Sequence, residues 1–165
     1  MQPLEAPDIH HFNAASGWFE LGNMVEAKAE LEEISSANQS HPDVFELRWR
    51  ICAGEKDWPQ ALEAGRELVK ADPENASGWI HQSYSLHELK RTREAFDLLL
   101  PVVGKFSDIS TIPYNLACYA CQLGDFETAR QWLARAIKIR GKEDIKKMAL
   151  ADPDLQPVWD EIRKL

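Results

Sequence analysis

An alanine that recurs every 34 residues constrains the fold of this chain more than any other feature of its sequence. The four alanines are Ala27, Ala61, Ala95 and Ala129. In most units a large apolar residue follows four positions later, and in all four an apolar residue follows seven positions later. These spacings are typical of the buried face of an α-helix. A fixed period of this length also indicates a stack of similar units.

Each unit is predicted to begin with a further helix, upstream of the one that carries the alanine. Twelve residues before the alanine stands Ala15, Trp49, Ser83 or Ala117. A small residue at the facing points of two helices lets them approach closely, so the unit is predicted to be a helical hairpin. The eight predicted helices span residues 8 to 21, 24 to 36, 43 to 54, 58 to 71, 76 to 89, 92 to 104, 111 to 123 and 126 to 139.

Three residues depart from the pattern. In the second unit Trp49 stands where a small residue is expected, and Gly65 stands where a large one is expected. We predict that the indole of Trp49 fills the space that Gly65 leaves; the alternative is that the indole turns outward and the space stays slack. Pro101 lies inside the second helix of the third unit, and it should kink that helix or end it early.

The period and its columns resemble the tetratricopeptide repeat (TPR), most clearly in ASGWIHQSYSLHELKRTREAF (76 to 96) and YNLACYACQLGDFETARQWLARAI (114 to 137). The resemblance implies an all-α, right-handed solenoid in a single domain, residues 1–165. Its four helix-turn-helix units would span about 8–41, 42–75, 76–109 and 110–141. The tail, KKMALADPDLQPVW (146 to 159), is similar to the closing segment of many bacterial TPR proteins. It implies two short helices, at about 143 to 151 and 154 to 164, which cap the last unit within residues 142–165.

In TPR proteins the first helices of successive units line a concave groove that takes extended peptides or a partner's helix. Carrying that geometry over by register places aromatic, polar and charged residues in such a groove. They are Phe12, Asn13, Ser16, Glu46, Arg50, Ile80, His81, Tyr84, His87, Tyr114, Asn115, Cys118 and Gln122. The resemblance therefore implies a protein-interaction module or scaffold, with a protein or peptide ligand of mixed apolar and polar character. The alternative is that the aromatic residues pack against neighbouring helices and that no groove ligand exists.

One class of TPR proteins clamps the C-terminal carboxylate of its ligand with lysines, an arginine and asparagines. In this chain Phe12, Ser77 and Thr111 stand at positions where that class needs lysine. Arg50 is the only strong cation among the predicted groove residues. We therefore expect at most a single anionic contact and no carboxylate clamp.

Cys118 and Cys121 form a CxxC pattern within a predicted helix. A redox CxxC usually lies at a helix N-terminus, which lowers the pKa of its thiol, whereas this pair lies in mid-helix. Zinc is an alternative, because His87 occupies the register of Cys121 one unit earlier and the three side chains could converge. We favour small residues that line the groove or are half-buried, and we predict neither a metal nor a cofactor.

Composition and charge narrow the functional classes. The net charge of −8 disfavours a nucleic-acid partner, because nucleic-acid binding depends on lysine and arginine. The sequence shows neither an apolar run as long as a membrane span nor a signal peptide, and three cysteines do not suit a disulfide scaffold. We therefore expect a cytoplasmic protein that binds no membrane. No catalytic motif is present, so we do not expect an enzyme.

An uneven distribution of charge leaves a second interpretation open. Residues 1 to 47 hold nine acidic side chains and one lysine, a net charge of −8, whereas residues 127 to 147 hold seven basic and three acidic side chains, a net charge of +4. Such runs are usually solvated helix faces, but opposite ends of two copies could also associate. The chain could then be a self-assembling structural protein. Otherwise we expect a monomer or a weak homo-oligomer.

Overall fold

The structure is a computed structural model that describes residues 3–164, and within these residues it contains only helices and their connections. The α-helices are α1 (Asp8–Glu20), α2 (Met24–Glu32), α3 (Pro42–Gly54), α4 (Trp58–Ala71), α5 (Ala76–Glu88), α6 (Thr92–Leu99), α7 (Thr111–Gln122), α8 (Phe126–Arg140), α9 (Lys142–Ala149) and α10 (Trp159–Lys164). Two 3₁₀ helices are η1 (Leu100–Val102) and η2 (Pro153–Val158). The all-α prediction is confirmed. None of these helices has the length and apolar character needed to cross a membrane.

The turn between the two helices of each hairpin has the same backbone conformation in all four units. One residue of each turn has a left-handed φ angle. These residues, 34 positions apart, are Gly22 (77°), Lys56 (59°), Lys90 (63°) and Gly124 (80°). Glycine adopts this conformation without a steric penalty, whereas Lys56 and Lys90 adopt it at a steric cost from their Cβ atoms. The repeat therefore specifies the turn as well as the helices.

The residue after this turn is the N-cap of the second helix. Asn23, Asp57 and Asp125 each accept a hydrogen bond from the backbone N–H three residues further on. Such side-chain caps stabilise a helix by about 1 kcal/mol each. Arg91 stands at the same position in the third unit and makes no side-chain cap. Three of the four second helices therefore begin at a side-chain cap that recurs with the repeat.

The helices form two compact units, one that ends at Ser85 and one that begins at Leu86. In the first unit α1 packs against α2 and α3 against α4, and in the second unit α7 packs against α8. The repeated alanines are almost completely inaccessible to solvent, with exposed fractions of 0%, 0%, 0% and 1%. The single predicted domain stays a prediction, as do its repeat boundaries. Its outermost residues, 1, 2 and 165, lie outside the described residues.

Pro101 ends α6 early, as predicted. The α-helix stops at Leu99 and the chain continues as η1. Proline has no N–H to donate to the preceding turn, and its ring clashes with the carbonyl four residues before it. The predicted helix from 92 to 104 is therefore divided at this residue.

α2 ends at Glu32, four residues before its predicted end at residue 36. The loop that follows is folded back on the helix by Gln39. The side-chain amide of Gln39 donates hydrogen bonds to the carbonyls of Leu31 at 2.9 Å and Ile34 at 2.6 Å. Carbonyls at a helix C-terminus lack intrahelical partners, so the Gln39 amide supplies the hydrogen-bond donor that the backbone of a longer helix would have supplied.

Asp8, at the start of α1, holds the same loop from the other end. Its carboxylate accepts hydrogen bonds from the backbone N–H of Ser35 at 2.9 Å, the hydroxyl of Ser35 at 2.5 Å and the side-chain amide of Asn38 at 2.6 Å. Asp8 is buried by these contacts, with an exposed fraction of 4%. The bonds from Ser35, followed by that from Asn38, lower the pKa of Asp8 below its ordinary value.

We predict that acid removes the contribution of Asp8 to stability. A carboxylate whose pKa is lower in the folded state stabilises the fold above the unfolded-state pKa, and this contribution disappears as the pH falls through the folded-state pKa. An Asp8→Asn variant should therefore have a lower urea midpoint than the wild type at neutral pH, and the gap should close below about pH 4. A gap that stays constant into that acid range would contradict a role for the ionised carboxylate.

The predicted exchange of size between Trp49 and Gly65 is wrong, and so is the alternative of slack space. α4 and α5 approach so closely that a Cβ on Gly65 would lie 2.9 Å from the backbone nitrogen of Gln82. Gly78 has the same role on α5, where a Cβ would lie 3.1 Å from the backbone nitrogen of Val69. The space beside Gly65 is therefore filled by the main chain of α5. The indole of Trp49 lies elsewhere on α5.

The tail packs on the second unit as three short elements. α9 contacts α8, η2 contacts α7, and α10 contacts both α9 and η2. The predicted helix from 154 to 164 is thus divided into η2 and α10. Leu155, Val158 and Ile162 are buried, with exposed fractions of 0%, 4% and 2%. These three side chains anchor the tail.

Candidate functional site

The predicted groove residues all lie on α1, α3, α5 and α7, which are the first helices of their hairpins. Those in the first unit are Phe12, Asn13, Ser16, Glu46, Arg50, Ile80, His81 and Tyr84. Those in the second unit are His87, Tyr114, Asn115, Cys118 and Gln122. Their role in binding stays a prediction, and their surroundings differ between the two units.

In the first unit a tryptophan stacks on a histidine. The rings of Trp49 and His81 have centroids 3.6 Å apart and planes only 6° from parallel. The indole N–H of Trp49 donates to the hydroxyl of Ser85 at 3.0 Å, and that hydroxyl donates to the carbonyl of His81 at 2.9 Å. One stacking contact and two hydrogen bonds therefore fix the orientation of the indole against α5.

Glu46 positions the imidazole of His81. One carboxylate oxygen of Glu46 lies 2.6 Å from Nε2 of His81, and the other accepts a hydrogen bond from the hydroxyl of Ser77 at 2.9 Å. Burial alone would raise the pKa of Glu46, but the bonds from His81 and Ser77 and the charge of Arg50 outweigh burial and lower it. Glu46 is thus ionised at neutral pH, and it supports the stack.

Tyr84 extends the aromatic cluster to the protein surface. Its ring meets Trp49 edge to face, with 6.3 Å between centroids, and it meets Trp58 in the same way at 5.7 Å. Tyr84 nevertheless remains 38% exposed. We call Trp49, Trp58, His81 and Tyr84 the aromatic surface. Rigid aromatic side chains with a polar edge are enriched at the centres of protein interfaces.

The other predicted residues of the first unit surround no comparable cluster. Phe12 and Phe19 pack against the core of this unit, while Asn13 is exposed. The guanidinium of Arg50 lies 4.5 Å from the centre of the Phe19 ring, a cation–π contact that leaves Arg50 exposed to solvent. Among the predicted groove residues of α1 and α3, the exposed ones are therefore one amide, Asn13, and one cation, Arg50.

Sequence reasoning did not place Trp49 and Trp58, which are both half-buried, beside the predicted residue Tyr84. Trp49 stands in the column that the repeat assigns to contacts between helices, so its position in the repeat predicts packing between helices. The one available signal was the presence of Trp49 in a column of small residues. A side chain too large for its column has to lie outside the helix contact.

In the second unit three of the four predicted residues of α7 contact the tail of the chain itself. Tyr114, Cys118 and Gln122 are spaced by four residues, so they lie on one face of α7. The hydroxyl of Tyr114 donates to Oδ2 of Asp152 at 2.9 Å, and the thiol of Cys118 donates to the same oxygen at 3.5 Å. The amide of Gln122 donates to the carbonyl of Asp154 at 2.9 Å.

His87 completes this contact from the end of α5. Its Nε2 lies 2.9 Å from Oδ2 of Asp154, and its Nδ1 lies 3.0 Å from the hydroxyl of Thr92. Because an ionised carboxylate only accepts hydrogen bonds, Nε2 carries the hydrogen and donates it. The imidazole also packs on the ring of Tyr119, with 5.0 Å between centroids. His87 is buried as a result, as are Tyr114 and Cys118.

Comparison with solved structures identifies the fold. The MamA protein aligns with a TM-score of 0.75 at 14% identity, over 95% of this chain and 86% of that one. YrrB, described as a TPR protein with an unusual peptide-binding site, aligns with a TM-score of 0.68 at 13% identity, over 94% of this chain and 82% of that one. TTC0263, a thermophilic TPR protein in Thermus thermophilus, aligns with a TM-score of 0.69 at 14% identity, over 94% of this chain and 95% of that one. This chain has the TPR fold. No protein-family model and no curated protein matches its sequence.

Within this TPR fold the CxxC pair lacks the property that redox chemistry requires. Burial, followed by the charges of Asp152 and Asp154, raises the pKa of the Cys118 thiol well above its ordinary value. Burial also raises the pKa of Cys121. A reactive CxxC needs the opposite shift. Zinc gains no support either, since His87 points at Asp154, and residues 3–164 contain no group of three His, Cys, Asp or Glu arranged to hold a metal ion.

A cleft of about 430 Å³ opens between α2, α3 and α4 of the first unit, where sequence analysis predicted no site. Its floor is apolar and includes Leu31, Phe45 and Ile51. The two bases at its rim, Lys28 and Arg48, contact Glu55 and Gln39 of the same chain. The charge of this rim is therefore engaged within the TPR unit, which leaves the aromatic surface as the better candidate for a ligand.

The basic segment from 127 to 147 is engaged in part within its own unit. Arg130 contacts Glu161 at 2.6 Å and Glu127 at 3.3 Å, and Arg140 lies 3.8 Å from Asp144. Exposed ion pairs of this kind stabilise a fold by about 1 kcal/mol or less. They do reduce the positive charge that the TPR fold offers to another copy. Self-assembly through opposite charges stays a prediction.

Proposed function

We propose that this TPR chain is a protein-interaction module without enzymatic activity, which binds a peptide segment or helix of a partner protein on the first helices of its hairpins. The observation that carries the proposal is the aromatic surface of the first unit. Stacking and hydrogen bonds fix its members before any ligand arrives, while Tyr84 stays 38% exposed. A preorganised surface loses little conformational freedom on binding, which favours affinity.

The surroundings of the aromatic surface suggest the chemistry of the ligand. Tyr84 and the tryptophans beside it suit an apolar or aromatic anchor residue. Arg50 and Asn13 are exposed on α3 and α1 and can bond an acidic side chain or a peptide carbonyl. The proposed ligand therefore combines an apolar anchor with acidic or carbonyl groups. The description of YrrB as having a peptide-binding site supports this class of ligand.

We also propose that the chain works in the cytoplasm. Cys52, Cys118 and Cys121 are all free thiols. Free cysteines persist in compartments where glutathione and thioredoxin keep thiols reduced. Burial raises the pKa of Cys52 as well, so all three thiols are poorly reactive.

We predict that Tyr84→Ala weakens ligand binding by about tenfold or more while the fold persists, because truncating an interface aromatic typically costs about 2 kcal/mol. Peptides selected on the wild-type protein from a display library would serve as ligands, with the dissociation constant measured by fluorescence anisotropy. Phe126→Ala is the matched control, since Phe126 is 40% exposed but lies on α8 of the second unit.

Two results would contradict the proposal. Selected peptides that bind Tyr84→Ala as tightly as the wild type would show that they do not use the aromatic surface. An equal loss in Phe126→Ala would show that any exposed aromatic side chain gives the effect. Circular dichroism has to show all three proteins equally folded, so that a loss of binding is not a loss of structure.

A further inference from the structure

We infer that His87, Tyr114, Cys118 and Gln122 form a binding site for an acidic segment of a partner protein, and that residues 152–154 occupy this site in cis as an intramolecular stand-in. We call these four side chains the donor face. The inference deepens the proposed function and rests on it, since it names the ligand class for the predicted groove residues of the second unit.

All four members of the donor face donate hydrogen bonds to the same short segment. Asp152 receives two of them on Oδ2, and Asp154 receives one on its carboxylate and one on its backbone carbonyl. The face thus contacts two carboxylates two residues apart and the backbone carbonyl of the second aspartate. A stripe of hydrogen-bond donors on one helix, with a histidine beside it, suits an acidic extended segment or turn.

Closing the end of the fold does not require these carboxylates. Leu155, Val158 and Ile162 already bury apolar area against the second unit. Half-buried carboxylates held by such donors add little stability compared with apolar side chains of the same size, because removing the charge from water is costly. The donor face therefore offers carboxylates more hydrogen-bond donors than are needed to hold the tail on the fold. Donors that converge on carboxylates in this way are a feature of a ligand site.

Three members of the donor face, Tyr114, Cys118 and Gln122, keep their hydrogens at neutral pH. Burial, followed by the nearby negative charges, raises the pKa of Tyr114 and that of Cys118. Both groups therefore stay protonated and can donate to a carboxylate throughout the neutral range. The amide of Gln122 is a donor at any pH.

The segment that occupies the face can be exchanged for another. η2 is a 3₁₀ helix, and Pro153 and Pro157 within it have no backbone N–H, so its internal hydrogen bonding is sparse. Leu155 follows the two aspartates directly and has to leave with them. A competing ligand therefore needs the same order of groups: two carboxylates two residues apart, followed at once by an apolar residue.

The test uses the full chain and a peptide that copies residues 150–157, acetylated, amidated and labelled with a fluorophore. We expect an Asp152→Ala/Asp154→Ala variant to bind this peptide at least about tenfold more tightly than the wild type, because its own segment competes less well. The matched control peptide carries asparagine for both aspartates and should bind neither protein. Adding His87→Ala and Tyr114→Phe to the variant should reduce its affinity for the acidic peptide to the level of its affinity for the asparagine peptide.

Several outcomes would overturn the inference. Equal binding by the variant and the wild type, or equal binding of the asparagine peptide, would show that the donor face does not select carboxylates. If the variant fails to fold, hydrogen exchange on the wild type decides: excess peptide should speed the exchange of amides in residues 152–164, and unchanged rates would refute exchange of the segment. A wild-type dimer that the peptide dissociates would make a second copy the occupant and would refute a separate partner. Binding that Tyr84→Ala abolishes would still support the proposed function if the donor-face test failed.

Discussion

Replacing Gly65 with leucine, the residue that three of the four repeats carry at this column, is expected to destabilise the protein by about 3 kcal/mol. A Cβ at this position would lie 2.9 Å from the backbone nitrogen of Gln82 and 3.1 Å from its Cα. These are main-chain atoms of α5, so they cannot rotate away as a side chain would. Leucine gains about 1 kcal/mol of helix propensity over glycine, which does not offset the overlap.

Gly17 provides the matched control for this substitution. It also lies inside a helix, but a Cβ there would meet nothing within 4 Å. Gly17→Ala should therefore gain up to about 1 kcal/mol from helix propensity, whereas Gly65→Ala should not. The free energies of unfolding of all the variants can be compared by urea denaturation, followed by circular dichroism. A Gly65→Leu protein as stable as the wild type would show that α4 and α5 can separate without cost.

The helices and turns of this protein could be predicted because their determinants are local. A left-handed turn residue and the N-cap after it recur with the period of 34 residues, at Gly22 and Asn23 and again at Gly124 and Asp125. Pro101 ends α6 through its own backbone. Each of these effects depends on residues within one turn of helix, so a single sequence contains the information.

The packing at Gly65 could not be predicted from columns. Comparing residues at the same repeat position assumes that every pair of neighbouring helices is equally far apart. α4 and α5, however, approach each other closely at Gly65 and Gly78. That distance depends on two glycines that stand thirteen residues apart and on separate helices. Gly65 alone predicts empty space, because the sequence at that column shows only a missing side chain and not the approach of α5.

The candidate site was predictable in its helices but not in its neighbours. Register placed Tyr114 and His81 on first helices, and both are there. Register says nothing of side chains from other columns or from the tail, so it missed the stacking of Trp49 on His81 and the contact of Asp152 with Tyr114. The aspartates of the tail carry no repeat signal, and only the path of the chain after α9 brings them to α7.

Replacing Leu155 with alanine is expected to destabilise the protein by about 3 kcal/mol, because Leu155 is completely buried and its loss leaves a cavity between η2 and α7. Leu100→Ala is the matched control, since Leu100 is 41% exposed and its truncation should change stability by about 0.5 kcal/mol or less. Urea denaturation gives both values, and hydrogen exchange should place the effect of Leu155→Ala in the second unit. Equal losses in the two variants would contradict a role for Leu155 as the anchor of the tail.

The same series separates an anchor from a recognition element. Because the tail segment competes with the peptide through its own stability, a tenfold gain in peptide affinity requires Asp152→Ala/Asp154→Ala to lose at least about 1.4 kcal/mol. This loss is still smaller than the one expected for Leu155→Ala. A loss as large as that of Leu155→Ala would mean that the donor face holds the fold together through these bonds, and the tail could not act as an exchangeable stand-in. A smaller loss, combined with gained affinity for the acidic peptide, would mean that the apolar side chains supply most of the stability of the tail. The carboxylates would then occupy a site that a partner can use by displacing them together with Leu155.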